Sequence, residues 1–120
     1  MLPELKGIDH VHVYVADREK AASWYETILG FRTTSSLAFW ADDDQGPLTI
    51  EDASGKIHLA LFGRADFNPT TAIAFKVSGV EFLKWKSHLE AQRVPLRCAD
   101  HDVAWSLYFS DPDENVHEIT

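Results

Sequence analysis

The order of sequence patterns in this chain runs through once and then repeats, which limits the folds open to it more than any single motif. Residues 8 to 15, "IDHVHVYV", alternate: Val11, Val13 and Val15 share one face with Asp9, and Ile8, His10, His12 and Tyr14 share the other. In "DREKAASWYETILGF" the period changes, and Ala21, Trp24, Tyr25, Ile28 and Leu29 mark the stripe of an amphipathic helix. Asp17 is placed to cap its start and Gly30 to stop it in the left-handed conformation. Three strands are expected next, near 33–40, 47–51 and 56–62, separated by the turns "ADDDQGP" and "DASGK". From residue 71 the series starts again. "TAIAFKV" is a strand and "SGVEFLKWKSHLEAQRV" a helix, opened by the Ser78 and Glu81 capping box and striped by Phe82, Trp85 and Leu89. Strands near 94–98, 104–110 and 115–119 close it, with "SDPDEN" as the last turn. Val15 corresponds to Val77 and, at the same offset, His10 to Ala72.

One helix can cover only one face of each sheet. The valines of the first strand suit that face, so the face with His10, His12 and Tyr14 must meet a second sheet or enclose a cavity. The expected architecture is α+β: two tandem βαβββ modules, about 5–66 and 67–120 of a single domain over 1–120, whose curved mixed sheets surround a central cavity with the helices outside.

Composition narrows the function classes. A formal net charge of −8 argues against nucleic acid or an anionic membrane as a partner. No apolar run approaches the roughly 20 residues of a membrane span, and no secretory leader is expected at the start. The single cysteine, Cys98, rules out an intrachain disulfide, so a cytoplasmic setting is expected. Six histidines are many for 120 residues and direct attention to a site.

"IDHVHVYVADREKAASWYETILGF" and "YFSDPDENVHEI" resemble the opening and closing signatures of the vicinal oxygen chelate superfamily, which includes glyoxalases, bleomycin resistance proteins and dioxygenases. Module order and length extend the resemblance over essentially the whole chain. It implies a metal-binding site with one ligand from each of four positions. The first is His10 in the opening strand; the second is His58, where "IHL" stands in place of "IEL"; the fourth is Glu118, after the "DPDEN" turn. The third position, usually histidine, is Ala72 here, a departure. His58 and Glu118 hold corresponding places in the two modules, so three of four related positions carry donors. Two imidazoles and a carboxylate leave coordination positions open for water or substrate.

The resemblance implies a metal-dependent, glyoxalase-like enzyme. It would act as a lyase or isomerase, or in thiol transfer, on a small substrate with vicinal oxygens, with Glu118 as the catalytic base. A divalent metal is implied (Zn, Ni, Mn and Fe are not distinguished), and no nucleotide cofactor. The alternatives are a metal-free small-molecule binding protein of the bleomycin-resistance type, which Ala72, the four tryptophans and the acidic charge suit, and an extradiol-type dioxygenase. A homodimer is also implied. His12 is read as lining the pocket or orienting a ligand, with Tyr14, Trp40, Trp105 and Ala72 as further lining. Arg18, Arg32 and Arg64 are candidates to meet an anionic substrate tail. His117 points away from Glu118, and His88 and His101 read as surface residues. In the last turn, Glu114 replaces the usual glycine, and Asn115 is expected to take the positive-φ position.

Overall fold

The first helix starts and stops where its end residues dictate. In the computed structural model, which describes residues 2–64, 72–100, 102 and 105–120, the Asp17 side chain accepts from the Lys20 N–H at the N-terminus of α1 (Arg18–Leu29). Gly30 follows at φ 75°, its N–H returning to the Glu26 carbonyl. Ala21, Tyr25, Ile28 and Leu29 are the buried residues of this helix. Trp24, the fifth member of the stripe, is half-buried and packs edge-on against Tyr25, with ring centroids 5.0 Å apart.

The chain divides into two units, Met1–Arg64 and Ala65–Thr120. In the first, β1 (Val11–Val15), β2 (Arg32–Thr33), β3 (Leu48–Glu51) and β4 (His58–Gly63) form a sheet of order β1-β4-β3-β2. β1 and β4 run parallel and the other pairs antiparallel. α1 lies along β2, β3 and β4. Val13, Val15, Ile50, Leu59 and Leu61 are buried in this unit's core. The other face carries His12, Tyr14, His58, Ala60 and Phe62, because side chains alternate along each strand. A one-residue slip of β4 would expose Leu59 and Leu61. Each buried aliphatic side chain is worth about 1.5–3 kcal/mol, so the register that sets the direction of His58 is firmly held.

The second unit repeats the plan. β5 (Ala72–Phe75), β6 (Arg97–Asp100), β7 (Trp105–Ser110) and β8 (Val116–Ile119) have the order β5-β8-β7-β6, again with one parallel pair, and α2 spans Gly79–Ala91. Ser78 caps α2 by accepting from the Glu81 N–H. The Glu81 carboxylate pairs with Lys84 at 3.2 Å. Leu107, Phe109, His117 and Ile119 are buried, and His117 packs against Phe75 and Phe109.

Three local expectations are corrected. The strand expected near 33–40 is a two-residue β2 followed by a 3₁₀ helix, Ser35–Asp42. Pairing ends when the Thr34 N–H reaches the Thr49 carbonyl, and the Leu37 N–H then turns back to Thr34. The first strand begins at Val11 rather than at residue 8, leaving Ile8 84% exposed. In the last turn Glu114 itself takes the left-handed conformation, at φ 70°. Asn115 is buried instead and holds Asp111: its Nδ2 donates to Oδ2, while its backbone N–H and that of Asp113 donate to Oδ1.

Candidate functional site

A small cavity of about 110 Å³ in the first unit is lined by Asp9, His10, Leu37, Trp40, Thr49, His58 and Ala60. It lies under the 3₁₀ helix, which supplies Leu37 and Trp40, while β3 and β4 supply Thr49, His58 and Ala60. Arg18 fastens that cover to α1. Its guanidinium donates to the carbonyls of Ala41 (2.9 Å), Asp43 (3.1 Å) and Gly46 (2.6 Å). Gly46 has no substitute there, since a Cβ would overlap the Trp40 carbonyl oxygen. Arg18 is therefore a strut, not a receptor for a substrate anion.

His10 stands at the mouth of the cavity, just before β1, with 40% of its side chain exposed. Its Nδ1 is 2.8 Å from Asp9 Oδ2, so the carboxylate favours the proton on Nδ1 and leaves Nε2 as the acceptor nitrogen, facing His12. Alternation had set Asp9 on the valine face; because the strand begins only at Val11, Asp9 is free to turn toward its neighbour. His10 Nε2 lies 3.1 Å from His12 Nε2, and the two rings stack with centroids 5.1 Å apart and planes 18° from parallel. His12 in turn rests on Phe62 at 4.7 Å, and Phe62 touches Tyr14. The Arg64 guanidinium lies over Tyr14 and Phe62 at 5.7 and 5.5 Å, so this second arginine is engaged with aromatic rings.

His58 is half-buried and lines the same cavity as His10. Directly across the antiparallel pair stands Glu51, whose Oε2 is 3.9 Å from Arg32 Nη2. Sequence reading passed over this carboxylate, because its place opposite His58 comes from the β3–β4 register and not from a local pattern.

In the second unit, Glu118 is half-buried and its Oε2 accepts from the Ser106 hydroxyl at 2.7 Å. It stands opposite Ala74 on β5 and Tyr108 on β7, and Arg97 caps the Tyr108 ring at 4.3 Å. Ala72 is exposed and lies opposite Val116. By strand pairing, then, Glu118 stands to Ala74 as Ala60 stands to His12, two residues along from the correspondence with His58 that sequence offsets suggest. The step of two preserves the face. Trp105 lines a different cavity, about 650 Å³, within the second unit, together with Val77, Phe82, Leu83, Lys86 and Cys98. Trp40 lines the cavity that His10 lines.

His117 faces away from Glu118, as alternation predicts, and is fully buried. Burial pushes its pKa down to about 4, against a smaller upward pull from Asp111. It is a neutral core residue. His88 packs edge-on against Trp85, and His101 lies outside the described residues.

Among the described residues, no group of three or more His, Cys, Asp or Glu side chains is arranged to hold a metal ion. What the first unit does hold is a donor set of the right chemistry: an imidazole with its Nδ1 proton fixed by a carboxylate, a second imidazole beside it, and a third on the same cavity. The chemistry of these donors suits a divalent cation, and the closest two, His10 and His12, stand 3.1 Å apart at Nε2. Also among the described residues, no helix is long and apolar enough to cross a membrane.

The family model for the Glyoxalase/Bleomycin resistance protein/Dioxygenase superfamily matches residues 7–119. No curated protein matches the chain. Solved structures with the same fold include an integron cassette protein from the mobile metagenome of the Halifax Harbour sewage outfall, 24% identical with a TM-score of 0.78, the match covering 96% of this chain and 97% of that one. Lactoylglutathione lyase from Agrobacterium tumefaciens is 22% identical with a TM-score of 0.72, covering 98% and 94%. The fosfomycin resistance protein FosX from Listeria monocytogenes is 18% identical with a TM-score of 0.73, covering 97% and 91%.

Proposed function

The chain belongs to the Glyoxalase/Bleomycin resistance protein/Dioxygenase superfamily, and on that premise we propose that it is a metal-dependent enzyme of the glyoxalase type. Its substrate is a small molecule with two neighbouring oxygens, processed by lyase, isomerase or thiol-transfer chemistry. The observation that carries this reading is the state of His10: Asp9 occupies Nδ1 and leaves Nε2 as a donor, beside a cavity that His58 also lines. His10 and His58, with Glu118, are the proposed ligands. A divalent cation bound to them would supply Lewis-acid polarisation of a substrate oxygen.

The chain's own residues do the rest. Asp9 keeps His10 in the ligating tautomer. The Ser106 hydroxyl engages Glu118 Oε2, so the general-base role falls to Oε1, which takes the substrate proton. Trp40 and Leu37 supply apolar lining to the cavity. A homodimer in the cytoplasm belongs to the same proposal. It is supported by the exposed apolar residues Val80, Leu83 and Trp105 and by the exposed thiol of Cys98.

A second reading, a metal-free protein that sequesters a cationic amphipathic drug, draws on the charge of −8 and on Phe39 and Trp40, which are 59% and 44% exposed. One experiment separates the two. Chelator-treated protein, with and without restored Zn²⁺, Ni²⁺, Mn²⁺ or Fe²⁺, is incubated with methylglyoxal plus glutathione, with fosfomycin plus a thiol, and with bleomycin. Turnover that depends on metal and disappears in His10→Ala supports the enzyme. Bleomycin binding without metal, unchanged in His10→Ala and with no turnover of the other compounds, replaces it with the binder.

A further inference from the structure

We propose that His12 is an inner-sphere metal ligand and forms a chelating pair with His10. The inference rests on the metal-dependent reading and adds a residue that neither sequence symmetry nor family membership assigns. Its basis is the 3.1 Å between the two Nε2 atoms. Two imidazole nitrogens bound to one ion at about 2.0–2.1 Å, subtending an angle between about 90° and 110°, stand about 2.9–3.4 Å apart. The separation in this structure lies within that range. The two rings lie within 18° of parallel, with centroids 5.1 Å apart, so their Nε2 atoms are nearer to each other than the ring centres are.

Each ring is held from behind by a different device. Asp9 grips His10 through Nδ1 at 2.8 Å, and Phe62 supports the His12 ring at 4.7 Å while Arg64 covers Phe62. Both histidines are exposed, so an ion can reach the pair. The proton inventory agrees. With the His10 proton committed to Nδ1, the hydrogen bond between the rings must come from His12 Nε2–H. Binding an ion requires only that His12 move that proton from Nε2 to Nδ1, a tautomer change with no change in charge.

Cu²⁺ alone is a suitable probe, because it binds nitrogen ligands most tightly among the divalent first-row ions and its electron paramagnetic resonance spectrum counts them. Wild-type protein, His10→Ala, His12→Ala and Asp9→Asn are titrated with Cu²⁺. Circular dichroism checks the fold of each variant, all three sites being on the surface. The expected result is that His12→Ala loses one coordinated nitrogen. Its affinity should fall beyond the roughly 10–100-fold that loss of an outer partner such as Asp9 costs. If wild type binds Cu²⁺ and His12→Ala keeps the same nitrogen count with a loss no larger than Asp9→Asn, the assignment of His12 is wrong and the metal-dependent reading stands. If wild type fails to bind, or His10→Ala binds as wild type does, that reading fails and the assignment of His12 fails with it.

Discussion

Lowering the pH from about 7.5 to about 5.0 should weaken the fold by about 2 kcal/mol through His117 alone. The ring is fully buried between Phe75 and Phe109. Burial lowers its pKa from 6.5 to about 4, partly offset by the nearby charge of Asp111. The folded pKa is depressed, so between these values the unfolded chain binds a proton that the folded chain does not. Stability is therefore intact above about pH 6.5, declines as pH falls, and levels off below about pH 4. A shift of about 2.5 pKa units at about 1.36 kcal/mol each makes the whole decline about 3 kcal/mol, of which about 2 has occurred by pH 5.0. Urea unfolding of wild type and His117→Leu at about pH 7.5, 6.0 and 5.0 measures it. The slope present in wild type should be absent from the variant, and the difference between them isolates the ring from other titrating groups. Equal slopes in the two proteins, or a flat wild type, would refute the reasoning.

Two further substitutions probe features outside the proposed ligand set. Glu114→Gly should stabilise the protein by about 1 kcal/mol, because a left-handed residue with a Cβ carries about 1–2 kcal/mol of strain that glycine lacks; chemical denaturation reads the gain, and an unchanged or lower midpoint would contradict the turn geometry. Arg18→Met removes the donor to three carbonyls, and the loss should reach about 2–4 kcal/mol, since hydrogen bonds from charged groups contribute about 1.5–3 kcal/mol each and the carbonyls regain some solvent. Hydrogen exchange should then show faster opening of residues 35–46 than of β4, whereas uniform exchange would mean that the cover does not depend on this strut.

Much of the fold was legible because its signals are local. The stripe of α1 and its ends at Asp17 and Gly30, the Ser78 cap of α2, and the doubling of strand and helix order all arise from periodicity and capping chemistry within a few residues. The segment after Thr33 was not legible. "SSLAFWAD" is a short apolar run that fits a strand as well as a helical turn, and it is held by Arg18 on a distant element. The face bearing His10, His12 and Tyr14 followed from alternation, yet the partners on that face did not. Asp9 turned to His10 because the strand began three residues late, and Glu51 reached the row of His58 through a pairing that only the sheet reveals. The same holds for Glu118, whose strand partner is Ala74 and not Ala72: sequence offset locates a residue along a strand, but hydrogen-bond register decides what it faces.

The proposed function rests on a bound divalent metal. Elemental analysis of protein purified without chelator, wild type beside His10→Ala and Glu118→Gln, tests it most directly. The account predicts near-stoichiometric divalent metal in wild type and its loss from both variants. Wild-type protein that carries no metal and gains none on addition of Zn²⁺, Ni²⁺, Mn²⁺ or Fe²⁺ would contradict it.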